Sequence, residues 1–126
     1  MYTEEQLNKF RDIISGSKRA VFFGGAGVST ESGIPDFRSQ DGLYRQKYAY
    51  PPEYILSATF FRTHTAEFFD FYRDKMVYPS ARPNAAHIKL AQWEREGRLA
   101  AVITQNIDGL HQKAGSKTVL ELHGSV

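Results

Sequence analysis

The stretch Gly24-Gly25-Ala26-Gly27-Val28-Ser29-Thr30-Glu31-Ser32-Gly33-Ile34-Pro35-Asp36-Phe37-Arg38 constrains this chain more than any other. It follows a short apolar run, Ala20-Val21-Phe22-Phe23, which reads as a buried strand. Glycines crowd the strand exit. Without Cβ atoms, the backbone there can turn sharply and let a ligand approach its amides. Ser29 and Thr30 offer hydroxyls at the start of a short helix. Free amides at a helix N-terminus suit a phosphate. Strand, turn and helix together describe a phosphate site of the kind nucleotides use. The plain alternative is a glycine-rich turn that holds no ligand.

The dinucleotide fingerprint of dehydrogenases asks for a third glycine, and Thr30 takes that place when counted from Gly25 and Gly27. No second strand ending in an acidic residue follows about 20 residues later, as that fingerprint requires. Pro35-Asp36-Phe37-Arg38 breaks the helix early and opens a loop. An ordinary dehydrogenase is therefore disfavoured.

Of the 126 residues, 41% are hydrophobic and 24% charged, a balance that describes one folded domain rather than a disordered chain. The net charge of +2, with no dense Lys/Arg run, gives nucleic-acid binding little support. No apolar stretch approaches the roughly 20 residues of a membrane span. The start, Met1-Tyr2-Thr3-Glu4-Glu5, lacks the basic and apolar regions of a signal peptide, so a cytoplasmic protein is expected. There is no cysteine, which excludes disulfides and thiolate metal sites within the chain.

Residues 3–14 read as a helix, with Thr3 and Gln6 at capping-box spacing, Leu7, Phe10 and Ile14 on one face, and Gly16 placed to end it. Residues 40–50 are polar and tyrosine-rich, with Asp41-Gly42 as a turn signal. Helices are expected over 53–60, 65–76 and 84–96, with Gly97 as a cap. The aromatics Phe60-Phe61, Phe68-Phe69 and Phe71-Tyr72 read as a small helical core, or as one wall of an apolar channel. Residues 99–104 form a second buried strand, 108–114 a short helix capped by Gly115, and 118–122 a third strand. Strand, helices, strand, helix, strand argues for an α/β fold with a parallel sheet.

In open α/β sheets, ligands sit beyond the carboxyl ends of the strands. Three strands here end in Gly24-Gly25-Ala26-Gly27, Gln105-Asn106-Ile107-Asp108 and His123-Gly124, so a parallel sheet would bring all three motifs to one rim. Gln105, Asn106 and Asp108 combine amide and carboxylate groups that match ribose hydroxyls and a carboxamide. Alternatively, Asn106 and Asp108 only cap the helix that follows. His123 would stand at that rim, and an imidazole is a side chain suited to proton transfer. Arg38 suits a phosphate, a mobile-loop anchor or a surface ion pair equally well.

The segments Gly25 to Ser29, Gly33 to Arg38, Thr104-Gln105-Asn106-Ile107-Asp108-Gly109-Leu110-His111 and Leu122-His123-Gly124, in this order, resemble the sirtuins, which are NAD-dependent protein deacylases. The resemblance implies a partial Rossmann-like parallel sheet with flanking helices and a helical insertion at about residues 51–78. It covers the N-terminal part of the family's catalytic core. The zinc module, with its four cysteines, and the C-terminal half would lie outside this chain, and residues 1–126 alone are expected to be inactive. The cofactor implied is NAD and the partner an acyl-lysine protein or peptide, with no nucleic acid and no membrane.

The resemblance also assigns roles. His123 is the base toward a ribose hydroxyl, and Asn106 assists it. Gly25, Ala26, Gly27, Ser29 and Thr30 hold the nucleotide. Gln105, Asn106, Ile107 and Asp108 line the nicotinamide and ribose pocket, with Asp108 on the carboxamide. Asp36, Phe37 and Arg38 complete the cofactor loop, with Phe37 covering the pocket. His87 reads as part of a helix start; His64 and His111 have no placement beyond the family pattern. Family members that remove acidic acyl groups carry a Tyr-x-x-Arg pair where this chain has Phe69 and Tyr72, so a neutral acyl group is expected. Mono-ADP-ribosyl transfer and a non-catalytic NAD-binding or structural role remain as alternatives.

Overall fold

The computed structural model describes residues 2–39, 42, 43 and 48–126. Helix α1, Glu4–Gly16, forms where the capping signal places it. Gln6 N–H donates to Thr3 Oγ1 at 3.2 Å, and Thr3 N–H donates to Gln6 Oε1 at 2.9 Å. Strand β1, Ala20–Gly24, leads into a 3-10 helix, Ala26–Ser32. Gly33 ends that helix at a φ of 80°, a left-handed conformation that a side chain would strain. In the following loop Leu43 N–H donates to the Asp36 carbonyl at 2.8 Å. Gly42 approaches the same turn so closely that a Cβ would stand 2.8 Å from the Phe37 carbonyl carbon. The turn expected at Asp41-Gly42 is described only at Gly42; Gln40, Asp41 and residues 44–47 lie outside the described residues.

Three short helices follow: α2, Pro52–Ile55, α3, Ala58–Thr63, and α4, Thr65–Lys75. The single helix expected over 53–60 is split because Ser57 turns extended and accepts the Phe60 N–H at 3.1 Å, starting a new helix. Helix α5, Ala85–Arg95, precedes β2, Leu99–Thr104. Helix α6, Leu110–Ala114, starts later than expected, because Gly109 is left-handed and Asp108 Oδ1 accepts the Leu110 N–H at 2.9 Å from outside the helix. Strand β3 is Val119–Glu121, one residue shorter at each end than expected.

The sheet order is β1-β2-β3, parallel throughout, with Gly24 beside Thr104 and Thr104 beside Glu121. One face is covered by α5 and α6. There Leu90, Leu99 and Val102 form a buried cluster flanked by Phe22, Trp93 and Val119. The Glu94 carboxylate accepts the amides of Lys117 and Thr118 at 2.8 and 2.7 Å, tying α5 to the approach of β3. A second cluster, Ile55, Phe60 and Phe71, forms separately among α2, α3 and α4.

The expectation that Ala20–Phe23 is a buried strand holds for one face only. Phe22 points into the covered face, while Val21 and Phe23 on the other are 58% and 60% exposed and Leu120 of β3 is 52% exposed. Helix α1 buries none of its residues, and the apolar face carrying Leu7 and Phe10 stands in solvent. Among the described residues no helix is long and apolar enough to cross a membrane.

An open apolar sheet face favours association. Residues 1–126 should therefore self-associate in sedimentation velocity and enhance the fluorescence of a hydrophobic dye. The double variant Phe23→Thr, Leu120→Thr, which puts polar, strand-favouring β-branched residues in their place, should reduce both signals. A monodisperse wild-type monomer that leaves the dye dark would contradict the open face.

Candidate active site

Parallel pairing levels the three strand ends. Gln105 N–H donates to the Gly24 carbonyl at 3.0 Å, and Leu122 N–H donates to the Thr104 carbonyl at 2.9 Å. The motifs that follow each strand therefore meet at one rim, as the sequence implies. A cleft of about 290 Å³ opens there, between the rim and the region of α2–α4.

Three polar side chains lock the rim together. Ser29, the single buried residue of the 3-10 helix, donates from Oγ to Asp108 Oδ2 at 2.7 Å. Asn106 Nδ2 donates to the same Ser29 oxygen at 3.0 Å. Asp108 then uses Oδ1 to cap α6. The alternative of simple helix capping is thus true of Asp108 but incomplete: its other oxygen crosses to the glycine-rich segment. Ser29 caps no helix. Gly25 is the cap residue, without a side-chain bond.

His123 is exposed at the end of the β3 motif, and its Nδ1 lies 3.0 Å from the Gln105 carbonyl oxygen. A carbonyl only accepts, so Nδ1 is the donor of this pair, which in the neutral ring leaves the lone pair on Nε2. That is the tautomer a proton acceptor needs. Its orientation is set by the exit of β2, where Gln105 also lines the cleft.

Of the residues singled out in the sequence, Ala26, Ser29, Phe37 and His123 line the cleft, as do Gln105, Asn106, Ile107 and Asp108. Gly25 sits at its edge: a Cβ there would stand 3.7 Å from Gln105 Oε1. Gly27, Thr30, Asp36 and Arg38 are not in the lining. Thr30 turns its hydroxyl back to the Gly27 carbonyl at 3.0 Å. The Asp36 carboxylate is held below its ordinary pKa by hydrogen bonds from the Ser39 hydroxyl and amide. Arg38 is exposed.

One wall carries no local signal in the sequence. Leu56, Lys75, Met76 and Tyr78 face the rim across the cleft. Burial raises the Tyr78 pKa, keeping the phenol neutral, while the Asp74 carboxylate raises that of Lys75. None of the aromatics Phe60, Phe61, Phe68, Phe69, Phe71 and Tyr72 lines this cleft, whereas Phe60 and Phe71 line a separate cavity with Tyr50 and Ile55. Phe60 and Phe71 turn into their own core instead.

Fold and rim define a ligand site at the carboxyl edge of a parallel, Rossmann-like sheet. The model of the Sir2 family matches residues 25–126, and the chain belongs to that family. It is 60% identical over 124 residues to an NAD-dependent protein deacetylase of Clostridium acetobutylicum, covering 97% of this chain and 51% of that protein. A solved Sir2 enzyme superposes with a TM-score of 0.88 at 49% identity, covering 98% of this chain and 48% of the other. A Sir2 structure bound to an acetylated peptide gives a TM-score of 0.80 at 43% identity, covering 95% and 46%. The chain spans about half the length of the curated relatives it matches.

Directly behind the lock lie two buried imidazoles, His87 of α5 and His111 of α6, with ring centroids 4.7 Å apart. His87 Nδ1 accepts the Asn84 N–H at 3.3 Å, closing the α5 capping box. His87 Nε2, both His111 nitrogens and Ser116 Oγ are buried without a hydrogen-bond partner among the described residues. Burial, then the neighbouring His87, push the His111 pKa down from 6.5 to about 4, against a smaller opposing pull from Asp108. Burial likewise lowers that of His87. Both rings are neutral in the fold, whereas unfolding lets them take up protons near pH 6.5. Their contribution to stability is therefore intact above about pH 6.5 and is lost as the pH falls toward about 4. The urea midpoint should drop between pH 7 and pH 5, and His111→Leu should shrink that drop. A wild-type midpoint equal at the two pH values would refute neutral burial of the pair.

Proposed function

We propose that the protein carrying this chain is an NAD-dependent protein lysine deacetylase whose nucleotide-binding rim lies within residues 1–126. The observation that carries the reading is the contact of His123 Nδ1 with the Gln105 carbonyl, which turns Nε2 away from that partner, beside the cleft that His123, Asn106 and Asp108 line. Its relatives support it, one being named an NAD-dependent protein deacetylase and another holding an acetylated peptide. In this reading residues 1–126 are an incomplete NAD-binding domain with a helical insertion at about 51–78. The remaining core and the zinc module belong to the rest of the protein. The protein would be cytoplasmic, acting on acyl-lysine proteins or peptides, without nucleic acid or membrane.

The donor set fits NAD. Amide and carboxylate groups at Gln105, Asn106 and Asp108 match ribose hydroxyls and a carboxamide, and the amides of the Gly25-Ala26-Gly27 turn match phosphates. NAD supplies a ribose carbon from which nicotinamide can depart when the acyl oxygen of an acyl-lysine attacks. Asp108, fixed by Ser29, orients the carboxamide. His123 Nε2 would take the proton of a ribose hydroxyl, freeing its oxygen to bond the acyl carbon as the bond from that carbon to the lysine nitrogen breaks and the amine leaves with a proton. Ile34, Phe37 and Met76 keep water from the reacting atoms. Zinc does not fit these residues: the chain has no cysteine, and the described residues hold no group of three or more His, Cys, Asp or Glu side chains able to bind a metal.

A positioned general base contributes about 10²–10⁴-fold. In the intact protein, His123→Ala should lower kcat by that order and change NAD affinity far less, because the phosphates are held by the glycine-rich turn. Asn106→Ala should also slow turnover. Single-turnover kinetics with a separate NAD titration decide it: near wild-type turnover in His123→Ala, or a loss of binding equal to the loss of rate, removes His123 from this role.

The acyl group follows from charge. Phe69 and Tyr72 bring no cation, Lys75 Nζ is paired with Asp74 at 2.9 Å, and Arg73 is paired with Asp70 at 2.6 Å. A carboxylate-ended acyl group would lose water without gaining a free cation from these residues. Acetyl-lysine peptides should be turned over with a higher kcat/KM than succinyl-lysine peptides; the reverse ranking would overturn the assignment.

A further inference from the structure

The 3-10 helix Ala26–Ser32 carries the nucleotide turn, yet of its seven residues only Ser29 is buried. Packing cannot hold it in place, so hydrogen bonds must. On one side it hangs from Asp108 and Asn106 through Ser29. On the other side it meets Asn84. That residue N-caps α5: its Oδ1 accepts the N–H groups of Ala86 at 3.0 Å and His87 at 3.4 Å. Its Nδ2 donates to the Val28 carbonyl at 2.8 Å and to Ser32 Oγ at 3.1 Å. The amide orientation is unambiguous, because a main-chain N–H only donates and a main-chain carbonyl only accepts.

We propose that Asn84 is a positioning residue for the glycine-rich turn: it fastens the turn to α5 and thereby sets the affinity for the dinucleotide. The second half of this statement rests on the NAD reading given above. Helix α5 is an immobile anchor. Leu90 packs against Leu99 and Val102 of β2, and Glu94 holds the start of β3. Val28 and Ser32 lie on either side of Ser29, so Asn84 holds the segment by the Val28 backbone before the residue that locks Asp108 and by the Ser32 side chain after it. Capping and clamping use opposite ends of one amide and can be separated chemically.

Asn84→Asp separates them. A carboxylate still accepts from Ala86 and His87, and its charge suits a helix N-terminus, so α5 keeps its cap. It cannot donate to the Val28 carbonyl, and two acceptors are left facing each other. In the intact protein, the melting temperature should hold, amide hydrogen exchange should accelerate over residues 28–34, and exchange within α5 should not change. The Kd for NAD should rise about 10–100-fold, with a smaller effect on kcat at saturating NAD. Ser32→Ala, which removes one clamp bond without touching α5, should shift exchange and Kd the same way by a smaller factor. Unchanged exchange over 28–34 in Asn84→Asp, or an unchanged Kd where the wild type binds NAD, overturns the proposal. Faster exchange together with a wild type that does not bind NAD leaves the clamp standing and defeats the NAD reading instead.

Discussion

A hydroxyl has one proton to give, and Ser29 gives it to Asp108 while receiving another from Asn106. This exchange joins the exit of β1 to the exit of β2, across 79 positions of sequence. It also decides which oxygen of Asp108 remains for the start of α6. Because a carboxylate held at both oxygens cannot rotate freely, the cleft receives a fixed polar surface rather than a mobile one. Asn84 repeats the principle on the opposite flank of the same turn. A backbone segment too glycine-rich to pack is held by side chains that belong to better-packed neighbours.

What the sequence disclosed was local chemistry and its order. Thr3 and Gln6 announce a helix start because the reciprocal bonds need only that spacing. The meeting of three motifs at one rim follows from parallel pairing, itself implied by strands separated by helices. Other features depend on tertiary approach and leave no local trace. A four-residue apolar run such as Ala20–Phe23 reads alike whether one or both faces are covered. The turning of Phe60 and Phe71 into a separate core, with Met76 and Tyr78 left to face the cleft, depends on how α4 is rolled against α2 and α3. Asn84 looks like an ordinary cap, since the bonds that distinguish it reach residues 52 and 56 positions away.

The same separation explains the site's plan. One buried cluster lies between the sheet and α5, the other among α2, α3 and α4, and the cleft lies between the regions they support. The rim side contributes polar groups anchored to strand ends. The helical side contributes Leu56, Met76 and the neutral Tyr78, a surface suited to excluding water. Lys75, ion-paired with Asp74, is the charged member of that wall.

The pairing of β1 with β2, Ala20 beside Leu99, has a kinetic consequence. Helix α5, β2, α6 and β3 are near neighbours in sequence and close their contacts over short loops. Strand β1 must find its partner across a much longer one, and such contacts are entropically delayed. Every side-chain bond of the rim lock spans that same long interval. The bonds from Ser29 to Asp108 and from Asn106 to Ser29, which span 79 and 77 positions, can therefore close only once β1 has paired with β2.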